Sequence, residues 1–285
     1  MVRDLWRRHR KRLVLGLLLG FMAASGGCRR EEGATKTKPS IAVTNTYLAA
    51  AVRDLWGDKG EVFCLAEPGM CPGHFDMTAG QVNRLRKSRL LLRFDFQKGL
   101  DKQLARLVEA GLVVYPIEIG SVTCVPEAYL SVCRQTAEAL SEAGYGDKSV
   151  FEQRFGEIQH RLKGLSEKVR QMVAVEAMPG TTAVVSDHQE ALARMLGLEV
   201  VGIFRGREKA TPGRINECLE AARSRSIRFV IANRQEGTQL AKALSERLEA
   251  RLLVFSNFPE SPDGPDGFDR LLLQNVGELL GKTIP

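Results

Sequence analysis

The sequence lacks most of the patterns by which common enzymes and cofactor-binding proteins are known. Aromatic residues make up 6% of the 285 residues, and only four histidines occur. It contains no GxSxG elbow, P-loop, HExxH helix or GxGxxG turn after a strand, which argues against the usual hydrolase and nucleotide-binding classes. It also has no CxxC pair, so a structural zinc knuckle is not indicated. We therefore expect neither catalysis nor an organic cofactor.

The chain also lacks an apolar run long enough to span a membrane, and its N-terminus instead has the pattern of an export signal. Six basic side chains precede the apolar run LVLGLLLGFMAA. A spanning helix would need roughly 20 apolar residues. Small residues then precede Cys28 and resemble the lipobox of bacterial lipoproteins, although Ser25 stands where leucine is usual. We expect residues 1–28 to direct export and Cys28 to be lipidated; the alternatives are a simply cleaved signal and a short membrane anchor.

Positive charge is scarce once the signal is set aside. The formal charge of the chain is +7, and residues 1–27 carry six basic and one acidic side chain, which leaves +2 for the rest. Nucleic-acid binding needs a basic surface to neutralise phosphates, so we expect no nucleic-acid partner. Residues 29–39 are charged and small without apolar periodicity, and this pattern predicts a flexible tether to the membrane.

Five cysteines follow the tether, which is an odd number. They are Cys64, Cys71, Cys124, Cys133 and Cys218. An exported protein lies in an oxidising compartment, so at least one disulfide is expected, with one thiol left over.

Eight short runs rich in β-branched and aliphatic residues alternate with stretches of helical period. This alternation predicts an α/β fold with mostly parallel sheets flanked by helices. The runs fall into two groups, which predicts an N-terminal lobe over residues 40–149 and a C-terminal lobe over 179–285. The runs are SIAVTNTYL, EVFCLA, RLLLRFD and LVVYPIEI in the first group and TTAVVSD, LEVVGIF, RFVIAN and RLLVFSN in the second.

One long amphipathic helix is predicted between the two groups, within residues 150–178. Between Val150 and Val173 apolar residues recur at alternating steps of four and three, and no proline interrupts them. A coiled coil is the alternative, but coiled coils usually sustain more heptads. Two lobes joined by a stiff helix cannot hinge widely. A ligand would lie between them, at the carboxyl ends of the strands.

These features together resemble the solute-binding component of zinc/manganese ABC importers. The resemblance rests on the lipidation motif, the opening IAVTNTYLAAAVRDLWGDKGEV, the turn PGMCPGHFDMT, the long helix and the stretch SDHQEALARMLGLEVVGIF. It implies capture of a divalent metal ion, zinc or manganese, by a monomer that delivers the ion to an ABC permease and its ATPase. The rival classes are a binding protein for cobalamin, haem or ferric siderophore, and a metal-free member that binds a partner protein.

The resemblance also implies a set of metal ligands. In the first family motif the ligand position falls on Gly73, and the histidine comes one residue later at His74. In the second motif Glu127 replaces the usual histidine, and in the C-terminal lobe the ligand is His188. His74, Glu127 and His188 form a set suited to zinc, manganese or iron. The alternatives to a role in metal binding are a hydrogen-bonded turn residue for His74 and a carboxylate that stabilises the first turn of a helix for Glu127.

Further residues of the same motifs are candidates for the cleft. Where the family often has a carboxylate, this chain has Asn233 and Asn257, which are candidate additional ligands. Cys71 could add a thiolate, or could pair with Cys124 in a disulfide at the cleft mouth, and the disulfide is favoured. Ser186 and Asp187 could cap the helix that follows them.

Overall fold

The computed structural model of the protein describes residues 40–66, 77–120, 123–176, 180–206, 211–261 and 263–284. These ranges contain eight strands, one in each of the eight predicted runs. The strands are β1 (Ser40–Val43), β2 (Glu61–Cys64), β3 (Leu90–Phe94), β4 (Val113–Ile117), β5 (Thr182–Ser186), β6 (Glu199–Phe204), β7 (Phe229–Asn233) and β8 (Arg251–Phe255).

The strands form two parallel four-stranded sheets with the same order of strands. The first sheet has the order β2-β1-β3-β4, and the second has the order β6-β5-β7-β8. Every strand pair in both sheets is parallel. The predicted α/β class is confirmed. We call β1 to β4 with their helices the N-lobe, and β5 to β8 with theirs the C-lobe.

Helices cover both faces of each sheet. They are α1 (Thr46–Trp56), α2 (Ala79–Leu85), α3 (Asp101–Glu109), α4 (Pro126–Glu142), α5 (Lys148–Val175), α6 (Glu190–Met195), α7 (Pro212–Ala222), α8 (Gln239–Arg247) and α9 (Gly267–Leu280). Short 3₁₀ helices span Asp95–Leu100, Asp187–Gln189 and Arg234–Glu236. Within the ranges described, no helix is both long enough and apolar enough to cross a membrane.

The first predicted strand is shorter than expected. Its composition predicts a strand over the whole run SIAVTNTYL, but β1 ends at Val43 and α1 begins at Thr46. The reason is the side chain of Asn45, which accepts hydrogen bonds from the backbone N–H groups of Tyr47 and Leu48 at 3.1 and 3.0 Å. These bonds satisfy N–H groups that have no partner within the helix, so the chain turns at Asn45.

The long helix α5 has 28 residues and connects the lobes. Its buried side chains include Phe151, Ile158, Leu162, Leu165 and Val169, which lie on the stripe predicted from the sequence. His160, on the same helix, is exposed, as a surface histidine would be.

One hydrophobic core is shared by both lobes. It contains alternate residues of the central strands, such as Ile41 and Val43 of β1 and Ala183 and Val185 of β5, together with the buried stripe of α5. The residues between them face separate outer clusters, because successive side chains of a strand point to opposite faces. The lobes are therefore packed against each other as well as joined by α5.

Candidate metal site

Two neighbouring strands of the second sheet end in short 3₁₀ turns at the same edge. Strand β5 ends at Ser186 and is followed by Asp187–Gln189, while β7 ends at Asn233 and is followed by Arg234–Glu236. Because β5 and β7 are paired and parallel, both turns lie at the carboxyl edge of the sheet. This edge is where open α/β sheets usually bind ligands.

These turns bring Asp187, His188 and Glu236 together. Each offers one ligand atom, and these atoms all lie within 4.8 Å of one another. The imidazole Nε2 of His188 lies 3.5 Å from Oε1 of Glu236. Neighbouring ligands that each lie about 2.2 Å from one ion are about 3.1 to 3.6 Å apart in octahedral or tetrahedral coordination. Side-chain movements of about 1 Å would therefore let the three groups hold one ion.

The carboxylate of Glu236 is held in position by its neighbours. The hydroxyl of Ser186 donates a hydrogen bond of 2.7 Å to Oε2 of Glu236, which leaves Oε1 facing His188. Ser186 makes no side-chain capping bond, so the predicted capping role is replaced by this contact. Gly206 also packs closely, because a Cβ atom there would lie 2.5 Å from Oε1 of Glu236. Only glycine leaves room for the observed carboxylate.

Asp187 has one oxygen in an ion pair and one without a donor. Its Oδ2 lies 3.5 Å from Nε of Arg205. Its Oδ1 is buried, and no residue of the described ranges donates a hydrogen bond to it. Buried polar atoms are nearly always paired, so an unpaired carboxylate oxygen beside an imidazole is the feature expected where a cation binds.

The donor set combines hard and borderline ligands. Carboxylate oxygens suit manganese, and imidazole nitrogen suits zinc. The two carboxylates and the neutral imidazole carry two negative charges, which Arg205 offsets only in part. The arrangement can therefore bind a divalent cation.

The structure includes one of the three predicted ligands in this cluster. His188 belongs to it, whereas Glu127 is exposed in the first turn of α4 and lies outside the cluster. His74 and Cys71 lie outside the described residues. The roles assigned to His74, Glu127 and Cys71 stay predictions.

The two candidate asparagines are buried beneath the cluster and bonded to a glutamine. Gln189 donates through Nε2 to Oδ1 of Asn257 at 2.7 Å and to Oδ1 of Asn233 at 3.5 Å. The side-chain oxygens of Asn233 and Asn257 thus already have donors. Their assignment as additional metal ligands stays a prediction.

Cys124 is a buried free thiol in the structure. Its single S–H can donate to the backbone oxygen of Ser256, 3.0 Å from the sulfur, or to Oδ1 of Asn257, 3.3 Å from it. Burial raises the pKa of this thiol to about 12, so it is protonated near neutral pH. Because Cys71 is outside the described ranges, the disulfide between Cys71 and Cys124 stays a prediction; it would remove the S–H and is incompatible with these contacts.

Sequence reasoning missed Glu236 and gave Asp187 only a capping role. The family pattern implies a carboxylate directly at the end of β7, where this chain has Asn233, but Glu236 lies three residues further along the chain. The 3₁₀ turn Arg234–Glu236 carries it back to the sheet edge. An acidic residue within one turn of a strand end was the signal that could have found it.

The fold places the chain in the class of two-lobed α/β proteins joined by one long helix, and comparison with known families identifies the family. The model of the family described as "Zinc-uptake complex component A periplasmic" (ZnuA) matches residues 124–280, more than half of the chain. The chain belongs to this family. The matched region contains α5, the whole C-lobe up to α9, and all three residues of the cluster.

Solved structures of similar fold agree with this placement. A manganese-bound periplasmic metal binding protein from Candidatus Liberibacter asiaticus is 14% identical with a TM-score of 0.69, and the match covers 86% of this chain and 99% of that one. A cadmium-bound form of the same protein gives the same values. A crystal structure of ZnuA is 13% identical with a TM-score of 0.67, over 86% and 99% of the two chains. At these identities the match establishes the fold alone. No curated protein matches the chain.

Proposed function

We propose that this protein captures a divalent metal ion, zinc or manganese, outside the cytoplasm and delivers it to an ABC permease driven by its ATPase. The observation that carries the proposal is the grouping of Asp187, His188 and Glu236 at the carboxyl edge of the second sheet. Membership of the zinc-uptake family supports the same function. The metal-bound relatives named above support a divalent ion as the cargo.

In this proposal the C-lobe supplies the described ligands and the N-lobe completes the site. His188 binds through its neutral imidazole, and Glu236 and Asp187 neutralise the charge of the ion. His74 and Glu127 are the candidate ligands of the N-lobe. Because an imidazole must lose its proton before it binds a metal, affinity should fall as the pH is lowered.

The same proposal places the protein at the membrane as a monomer. Residues 1–28 direct export, the lipid on Cys28 anchors the chain, and residues 29–39 let the lobes stand off the surface. This arrangement keeps the captured ion close to the permease that receives it.

The test is metal titration of the full chain, purified in a mild detergent. Zinc and manganese are titrated separately by competition with a chelator, and bound metal is counted by elemental analysis. We expect one equivalent of metal. Both His188→Ala and Glu236→Gln should weaken binding by at least tenfold, because each removes a ligand. His160→Ala is the matched control, since this exposed histidine on α5 lies outside the cluster, and its affinity should equal that of the unmodified chain.

Two results would contradict the proposal. Absence of bound zinc and manganese at millimolar concentration would exclude metal capture and favour a larger ligand or a partner protein in the cleft. Equal loss in the His188 and His160 variants would show that binding lies elsewhere on the chain.

A further inference from the structure

The C-lobe segment formed by residues 256–259 lies against the N-lobe along a buried seam. The hydroxyl of Thr46 donates to the backbone oxygen of Pro259 at 2.7 Å. The ring of Tyr47 meets that of Phe258 edge-on, with centroids 6.3 Å apart. Both N-lobe residues belong to the first turn of α1, so the segment is held where the N-lobe sheet meets its first helix.

Cys124 adds the side-chain contact that leads from this seam toward the candidate metal site. It precedes α4 in the N-lobe, and the single hydrogen of its thiol is shared between the backbone oxygen of Ser256 and Oδ1 of Asn257. The backbone beside it is fixed as well, because Tyr47 donates through its hydroxyl to the oxygen of Thr123 at 2.5 Å. The thiol therefore has a defined position relative to the C-lobe.

The second half of the connection lies wholly within the C-lobe. Oδ1 of Asn257 also accepts the hydrogen bond of 2.7 Å from Nε2 of Gln189. An amide oxygen has two lone pairs, so it can accept from the thiol and from the glutamine at once. Gln189 is fully buried and is the last residue of the 3₁₀ turn that carries Asp187 and His188. The position of Gln189 thus restrains the turn that bears two of the three clustered residues.

We propose that Cys124, Asn257 and Gln189 form an interlobe relay that positions the turn Asp187–Gln189, so that Cys124 and Gln189 set metal affinity without touching the ion. The inference rests on the proposed function, because it assigns a role in the same site. Every group in the relay is uncharged, so its effect does not depend on salt.

The relay restrains the ligands before the ion arrives. A turn that is already ordered loses less conformational freedom on binding than a loose one, which is how preorganisation raises affinity. Losing one buried hydrogen bond should therefore weaken metal binding by about three- to tenfold. A purely structural role would instead lower the stability of the metal-free and metal-bound forms equally and leave affinity unchanged.

The experiment compares Cys124→Ala and Gln189→Leu with two controls in the full chain. Cys124→Ser retains a hydrogen-bond donor and should restore most of the affinity. Cys218→Ala removes a similarly buried thiol from α7, away from the relay, and should leave affinity within twofold. Zinc and manganese affinities are measured for each variant, together with the melting temperature with and without metal.

Amide hydrogen exchange of the peptide containing Asp187 to Gln189, measured without metal, provides a second readout. Cys124→Ala should speed exchange there, across the lobe boundary, and Cys218→Ala should not. Unchanged affinity and unchanged exchange in Cys124→Ala, with only a lower melting temperature, would overturn the relay. If the unmodified chain binds no metal, the proposed function fails, while the exchange measurement still decides whether the relay positions the turn.

Discussion

Arg161 of α5 is predicted to be the most costly single charge to remove from this protein. Its guanidinium lies 2.6 Å from Oδ2 of Asp54 in α1 and 2.6 Å from Oδ1 of Asp266, which precedes α9. Its Nε lies 3.2 Å from Oδ2 of Asp269 in α9. One cation therefore joins both lobes to the connecting helix. Arg161→Met retains much of the apolar stem and removes the charge.

The magnitude follows from the burial of Asp54. Its side chain has no exposed surface, so without Arg161 it becomes a buried carboxylate with no cation beside it. Breaking a buried ion pair costs about 3–5 kcal/mol. Asp54 would keep hydrogen bonds from the hydroxyl of Tyr129 at 2.8 Å and from the backbone N–H of Asp266 at 3.1 Å. These bonds place the expected loss near the lower end, at about 3 kcal/mol.

Denaturant unfolding of the full chain, followed by circular dichroism, measures this loss. Arg154→Met is the matched control, because Arg154 lies on the same helix and pairs with the exposed Glu157 at 3.2 Å. Its cost should be below about 1 kcal/mol. Adding Asp54→Asn to Arg161→Met should recover part of the lost stability, since it removes the negative charge that Arg161→Met leaves buried without a cation. If Arg161→Met proves no more costly than Arg154→Met, the reasoning is refuted.

Two further predictions concern pH and backbone space. Burial raises the pKa of Asp269 to about 6, above its unfolded value of 3.8, so the folded chain binds this proton more tightly. The contribution of Asp269 to stability should therefore fall by roughly 3 kcal/mol as pH rises from about 4 to about 7. Asp269→Asn should remove this fall in denaturant unfolding measured at each pH, and parallel pH curves for the two proteins would contradict the prediction. Gly206→Ala places a methyl group against Glu236 and should weaken metal binding about tenfold in chelator competition. The control Gly156→Ala adds a methyl group with nothing within 4 Å and should leave metal affinity unchanged. Equal affinities in both variants would show that Glu236 does not need the space left by Gly206.

The fold could be predicted from the sequence because its signals are local and repeated. Each strand is a short aliphatic run, and the stripe on α5 continues from Phe151 to Val169 without a break. The error at the first strand had a local cause as well. The composition of TNTYL is typical of a strand, but the side chain of Asn45 caps a helix there. Whether the segment forms a strand or a helix therefore depends on the hydrogen bonds of one residue.

The candidate site could be predicted only in part, because its members are distant in sequence. His188 is implied by the resemblance to the importer family, and it lies two residues after the end of β5. Glu236 joins it from 48 positions away, through a turn whose path the sequence does not specify. The contact of Cys124 with Asn257 joins the two lobes, and the contact of Arg161 with Asp54 joins α5 to the N-lobe. Each spans more than 100 residues. No periodicity carries information about such pairs.

The core shared by the lobes makes the protein a single cooperative unit. Residues of β1, α5 and β5 belong to one buried cluster, so neither lobe can lose its structure without exposing apolar surface of the other. Heat should therefore melt both lobes in one transition, and a calorimeter should record a single peak in which the calorimetric and van't Hoff enthalpies agree. A destabilising change in one lobe would then shift the melting of the whole molecule and would not release a lobe that unfolds by itself.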